Sequence, residues 1–114
     1  MFKFFKLEEF ACKHTGKNEI KEEFVHRLDE LRQACDFPFT ITSGYRAPEH
    51  PIEAKKSTPG THSRGIAVDI SVRNGVQRRK IVEEALKLGF GGIGIANSFI
   101  HVDIREDTPV LWMY

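Results

Sequence analysis

His62-Ser63-Arg64-Gly65-Ile66-Ala67-Val68-Asp69-Ile70 is the stretch from which the fold can be read. Ile66, Val68 and Ile70 alternate with Ala67, Asp69 and Ser71, the pattern of a strand with one face on a core. A second run, Phe99-Ile100-His101-Val102-Asp103-Ile104-Arg105, alternates in the same way. Ile100, Val102 and Ile104 take one face; His101, Asp103 and Arg105 take the other. If both strands belong to one sheet, Asp69 and His101 project from the same surface. His62 stands seven residues before Asp69, an odd separation. It must reach that surface from a loop, and Gly65 permits the tight turn this requires. Two imidazoles and one carboxylate are a zinc donor set that leaves a fourth position for water.

The rest of the chain sets the frame. Its 114 residues suffice for one domain, residues 1–114, around a single core. Hydrophobic residues make up 40% and charged residues 29%, which favours a globular protein over a disordered one. A net charge of +1 gives no electrostatic case for a nucleic-acid partner. No apolar run is long enough for membrane insertion. The opening Met1-Phe2-Lys3-Phe4-Phe5-Lys6-Leu7-Glu8-Glu9-Phe10 lacks an uninterrupted apolar run and a small-residue cleavage site, so it does not read as a signal peptide. A monomer is expected. Two cysteines, Cys12 and Cys35, make no disulfide framework. Cys35 reads as a buried thiol, and Cys12-Lys13-His14 matches no common zinc spacing.

Local signals place the other elements. Leu7 to Cys12 reads as a short helix, followed by a polar loop at Thr15 to Asn18 with Gly16. Ile20, Phe24, Leu28, Leu31 and Cys35 are spaced for an amphipathic helix that Phe37-Pro38 would end. His26 lies off its apolar face. Phe39 to Ser43 reads as a strand and Gly44 to Pro48 as a turn. His50 to Thr61, with two prolines and two lysines, reads as a surface loop that delivers the chain to His62. Asn74-Gly75 turns into a second helix, Val76 to Leu88, with Gly89 at its end. Phe90-Gly91-Gly92-Ile93-Gly94-Ile95 is a glycine-rich strand. No Lys-Ser/Thr follows, so it is no phosphate loop; its glycines allow close backbone approach beside the site. Trp112 and Tyr114 are expected to pack over the core.

The pattern His62-x-x-Gly-x-Ala-x-Asp69, followed by His101-x-Asp103, resembles the zinc D-Ala-D-Ala carboxypeptidase family, in particular its small phage-type murein peptidase branch. Leu7-Glu8-Glu9-Phe10, Thr42-Ser43-Gly44-Tyr45-Arg46, Gly89 to Gly94 and Trp112-x-Tyr114 match in order. The resemblance implies an α+β fold, an antiparallel sheet with flanking helices, shared with the hedgehog signalling domain. It implies one zinc ion on His62, Asp69 and His101, and a peptidoglycan peptide as substrate. The implied reaction is hydrolysis of a stem-peptide bond, of the D-Ala-D-Ala carboxypeptidase or murein endopeptidase type. It also implies a protein made in the cytoplasm and released to the cell wall by phage lysis, or carried on a virion.

The chemistry agrees with the resemblance. Zinc lowers the pKa of a bound water to about 7 and polarises a carbonyl. Arg46 suits a substrate carboxylate or a developing oxyanion. Ser43 and Tyr45 offer further hydrogen bonds to substrate. Many relatives carry a glutamate three residues before the last histidine ligand, or a histidine two before it; Ser98 and Phe99 stand there. Some have serine two before the first histidine, where this chain has Gly60. Asp103, two residues after His101 on one strand face, is then the candidate general base; its rival role is to accept a hydrogen bond from a zinc-bound histidine, or to pair with Arg46 or Arg105, and so orient the site without moving a proton. His50 is a weaker candidate. The alternative is a zinc-containing binding or assembly module without activity, since fold alone does not fix function.

Overall fold

The computed structural model describes residues 2–114; Met1, the first residue of the opening segment, lies outside them. The apolar spacing after Ile20 becomes α1 (Glu22–Cys35), which buries Phe24, Val25, Leu28, Leu31 and Cys35. Asp36, in the left-handed region at φ 59, closes it by donating its N–H to the Arg32 carbonyl. The helix has therefore stopped before Phe37-Pro38 acts, which corrects the expectation that the proline ends it. Asn74 caps α2 (Gly75–Lys87) by accepting the Gln77 N–H at 2.9 Å, and Gly89 follows with φ +80. Ile81 and Ala85 turn inward; Leu86 turns to solvent. Near the N-terminus the expected helix is a single 3-10 turn, Leu7–Phe10. Among the described residues no helix is long and apolar enough to cross a membrane.

Among the described residues five strands form one sheet: β1 (Ile41–Ser43), β2 (Ala67–Ser71), β3 (Gly92–Ile95), β4 (Phe99–Asp103) and β5 (Val110–Met113). Their order is β1-β2-β4-β3-β5. Neighbours run antiparallel except β3 and β5, which are parallel. The fold is thus α+β, a mostly antiparallel sheet with flanking helices, as expected; the one parallel pairing is that of β3 with β5. The helices cover one face. There Val68, Ile70, Ile93, Ile100 and Val102 join Phe24, Leu28, Leu31 and Ile81 in the core. Alternation sends Asp69, His101 and Asp103 to the other face.

Two departures shape that second face. The stretch from His50 to Thr61 is more than a surface loop: it makes a single 3-10 turn, Glu53–Lys55, and buries Glu53. Trp112 does not pack over the core. It lies on the face opposite the helices, because β5 brings it beside β3 rather than beneath the helices.

Candidate metal centre

The strand register assembles the site. Asp69 on β2 lies directly opposite His101 on β4, and His101 lies opposite Gly94 on β3, which pairs in turn with Trp112 on β5. Asp69, His101, Gly94 and Trp112 therefore form one row across four strands. Gly94 has no side chain, so the indole leans over it; a Cβ there would meet Trp112 Cε2 at 2.6 Å. The indole reaches His101, with ring centroids 4.9 Å apart. One row along, the Asp103 carboxylate occupies the space over Gly92, where a Cβ would be 2.1 Å from Oδ2. The expectation that these glycines allow close approach beside the site holds.

His62 arrives from the loop, as its spacing requires. Gly65 adopts φ +74, and its N–H donates to the His62 carbonyl. A Cβ on Gly65 would strike the Glu19 carbonyl at 2.3 Å, while Lys21 N–H donates to the Gly65 carbonyl. The turn is thereby fastened to the start of α1. Arg46 N–H donates to the His62 carbonyl and Ser63 Oγ to the Arg46 carbonyl, tying the Ser43–Arg46 segment to the same loop.

Each histidine has its tautomer fixed by its outer partner. His62 Nδ1 lies 2.8 Å from the Gly44 carbonyl, which can only accept, so Nδ1 donates and the neutral ring turns its Nε2 lone pair inward. His101 Nε2 lies 2.7 Å from Asp103 Oδ2, so its Nδ1 lone pair also turns inward. Those two nitrogens are 3.2 Å apart, and each lies 3.3 Å from Asp69 Oδ1. All three residues are buried, and Asp69 Oδ1 makes no hydrogen bond. Three electron-rich atoms facing one another around an unsatisfied buried oxygen suit a cation between them. The donor atoms lie within 4.8 Å of one another. Burial alone would raise the Asp69 carboxyl, but the two imidazoles hold it well below the usual carboxylate range. Burial likewise lowers His101, and the carboxylates of Asp103 and Asp69 outweigh it and raise the imidazole above its ordinary value.

The geometry corrects three roles. Asp103 is 0% exposed; besides His101 it accepts from Arg105 N–H, Nε and Nη2 at 3.0, 2.9 and 2.7 Å. Burial would raise its carboxyl, but His101 and Arg105 drive it far down. It sits on the outer side of the His101 ring, turned away from the three donor atoms, and does not fit a general base. Tyr45 is buried with Cys12 and Ala47, and its hydroxyl donates to Glu19 Oε2 at 3.1 Å, away from the cleft. Ser43 Oγ accepts from Arg46 Nε at 3.2 Å, so it steadies Arg46 rather than a ligand.

Arg46 does reach the centre. Its Nη2 lies 3.5 Å from Asp69 Oδ2 and its Nη1 3.7 Å from Glu53 Oε2. Glu53 is the residue that sequence reading missed. Its side chain is 2% exposed, Oε1 accepts the Gly60 N–H and Oε2 accepts Lys56 Nζ. His62, His101, Arg46, Trp112 and Tyr114 line a cleft of 310 Å³ over the three donors. His50 is not among the residues that line it.

A deep two-histidine, one-carboxylate cluster, open to a cleft on the bare face of an α+β sheet, defines a candidate metallohydrolase centre. Residues 3–103 match the sequence profile of the Peptidase M15 family, nearly the whole chain. The chain belongs to this family of metal-dependent peptidases. A search of curated proteins finds no match.

Proposed function

We propose that this chain is a zinc-dependent peptidase that hydrolyses a peptide bond in bacterial peptidoglycan stem peptides, as a D-Ala-D-Ala carboxypeptidase or a murein endopeptidase. The observation that carries the reading is the convergence of His62 Nε2, His101 Nδ1 and Asp69 Oδ1 on one point beneath an open cleft. The donor set fits zinc, whose nitrogen and carboxylate ligands these are, with room for a fourth ligand on the cleft side. Bound there, zinc would supply a Lewis acid and lower the pKa of water.

The protein's own groups take the remaining roles. Gly44 and Asp103 hold the two imidazoles in the tautomers that offer lone pairs inward. Arg46, held by Ser43, Glu53 and Asp69, directs a guanidinium at a substrate carboxylate or at the oxygen that gains charge during attack. Trp112 lines the β5 side of the cleft beside His101. The protein acts on this reading as a monomer at the cell wall, reached through phage lysis or on a virion.

One observation favours the second reading, a zinc-containing recognition module. Among the described residues no carboxylate lines the cleft, because Glu53 and Asp103 are committed behind its wall. Digestion of purified peptidoglycan separates the two. The zinc-loaded protein should release murein fragments whose masses identify the bond cut, and His101→Ala should lose both zinc and release. Bound zinc without fragments would select the recognition module; full zinc content in His101→Ala would remove the metal site itself.

A further inference from the structure

The wall of the cleft carries four cations, Arg46, Lys56, Arg64 and Arg105. Three carboxylates stand behind it: Asp69, Glu53 and Asp103, each already paired. Four positive charges thus face three negative ones before a divalent ion adds two more. Within the cleft itself an anionic ligand would offset that excess, which a neutral one would not.

The cations form two groups. Arg46 pairs with Asp69, whose Oδ1 faces His101 Nδ1. Arg105 pairs with Asp103, which holds His101 Nε2. The two nitrogens lie on opposite sides of the imidazole, so Arg46 and Arg105 stand on opposite sides of His101. Arg46 serves the reacting group in the function proposed above. Arg105 is not needed there. Asp103 occupies its Nε and Nη2, and its guanidinium lies 5.3 Å over the Trp112 ring, so the group is fixed with Nη1 left to bind. Arg64 lines the same cleft and shares with Arg105 the adjoining hollow, where Glu23, Glu106 and Asp107 stand beside Lys21 and Arg27, so on the hollow side the charges are mixed and the positive excess lies on the cleft side. Arg64 is exposed and makes no side-chain hydrogen bond or ion pair among the described residues. One anchored and one unpaired guanidinium at the same cleft end suit a shared carboxylate.

We propose that Arg105 and Arg64 form a second anion subsite across His101 from Arg46, and that the cleft takes a peptide with a carboxylate on each side of that histidine. The subsite names the substrate class for the peptidase reading and rests on it only for the cleavage. A neutral stem peptide fits poorly; one with an acidic residue next to the carboxylate that Arg46 holds fits well.

The test is calorimetric binding to the zinc-loaded protein at low ionic strength. Two product-like probes are used, N-acetylated tripeptides with a free C-terminus and either glutamate or glutamine at the central position. The glutamate probe should bind about fivefold tighter, the scale of a partly exposed ion pair. Added salt should erode the advantage. Arg64→Ala should reduce it and Arg64→Glu abolish or invert it, while both variants keep the wild-type circular dichroism and zinc content. Equal binding of the two probes to wild type, or an advantage untouched by Arg64→Glu, would overturn the proposal. If the advantage holds and the zinc-loaded protein releases no fragments from purified peptidoglycan, the subsite stands and the peptidase reading falls; fragment release without discrimination between the probes gives the converse.

Discussion

Asp103 is the residue whose meaning changes most between chain and fold. Alternation places it on the strand face of His101, which is correct, yet same-face residues two apart on a strand have side chains that can meet. Here they do, at 2.7 Å, and Asp103 spends its charge on the imidazole and on Arg105. Replacing it with asparagine should therefore weaken metal binding by about 10–100-fold, the usual cost of losing an outer partner of a histidine ligand. Competition with a chelating dye measures this; unchanged affinity would refute the role. Asp103→Asn should also lower stability, because Arg105 is left beside a neutral amide. The convergence of His62, Asp69 and His101 was legible in the sequence because a period of two and a single glycine fix where they point; Arg46, in a turn, was picked out by its motif and its chemistry instead. Glu53 was not: it sits in an aperiodic stretch among lysines, and nothing local marks it as buried. Tyr45 and Ser43 were misassigned because their segment is tied to Phe10, Glu19 and the His62 loop by contacts distant in sequence.

At the scale of elements, the two helices were the clearest signals, since apolar spacing and terminal residues act within a few turns. β5 was not anticipated. It is four residues long, and Val110, Leu111 and Met113 are exposed, so it has no buried alternation to reveal it. What accommodates it lies in another strand: Gly94 of β3 leaves room for Trp112 of β5, as Gly92 does for Asp103 of β4. Those glycines carry a prediction. Gly92→Ala places a methyl against a fully buried, fully bonded carboxylate and should destabilise the fold by about 2–4 kcal/mol, combining overpacking with a broken ion pair. Gly94→Ala meets the edge of an indole that can swing away, so about 1–2 kcal/mol is expected. Urea denaturation of both variants checks the order. Equal, negligible losses would mean that β3 is not packed as described.

At the scale of the molecule, one face of the sheet builds the core and the other gathers the charged groups. The helix face buries aliphatic and aromatic side chains. The bare face gathers Asp69, Asp103, Arg46, Arg105 and two histidines, whose mutual arrangement a cation completes. Metal should therefore act as a stabilising ligand. At a free concentration about one hundred times its dissociation constant, zinc should contribute about 2.7 kcal/mol, raising Tm by roughly 10 °C in a domain of this size, and a chelator should reverse the gain. A Tm indifferent to zinc and chelator would place any metal elsewhere.

The chain contains one tryptophan, and the sheet register sets that ring 4.9 Å from His101. The protein thus carries its own optical gauge at its chemical centre. Excited at 295 nm, every emitted photon originates beside the cleft and none from the core. A paramagnetic ion such as Co²⁺, bound by His62, Asp69 and His101, should quench that emission strongly, whereas diamagnetic Zn²⁺ should shift it without extinguishing it. Titration of the emission against each metal would count occupied sites in the untagged, unlabelled molecule. Emission unmoved by either ion would show that the indole does not stand over the centre.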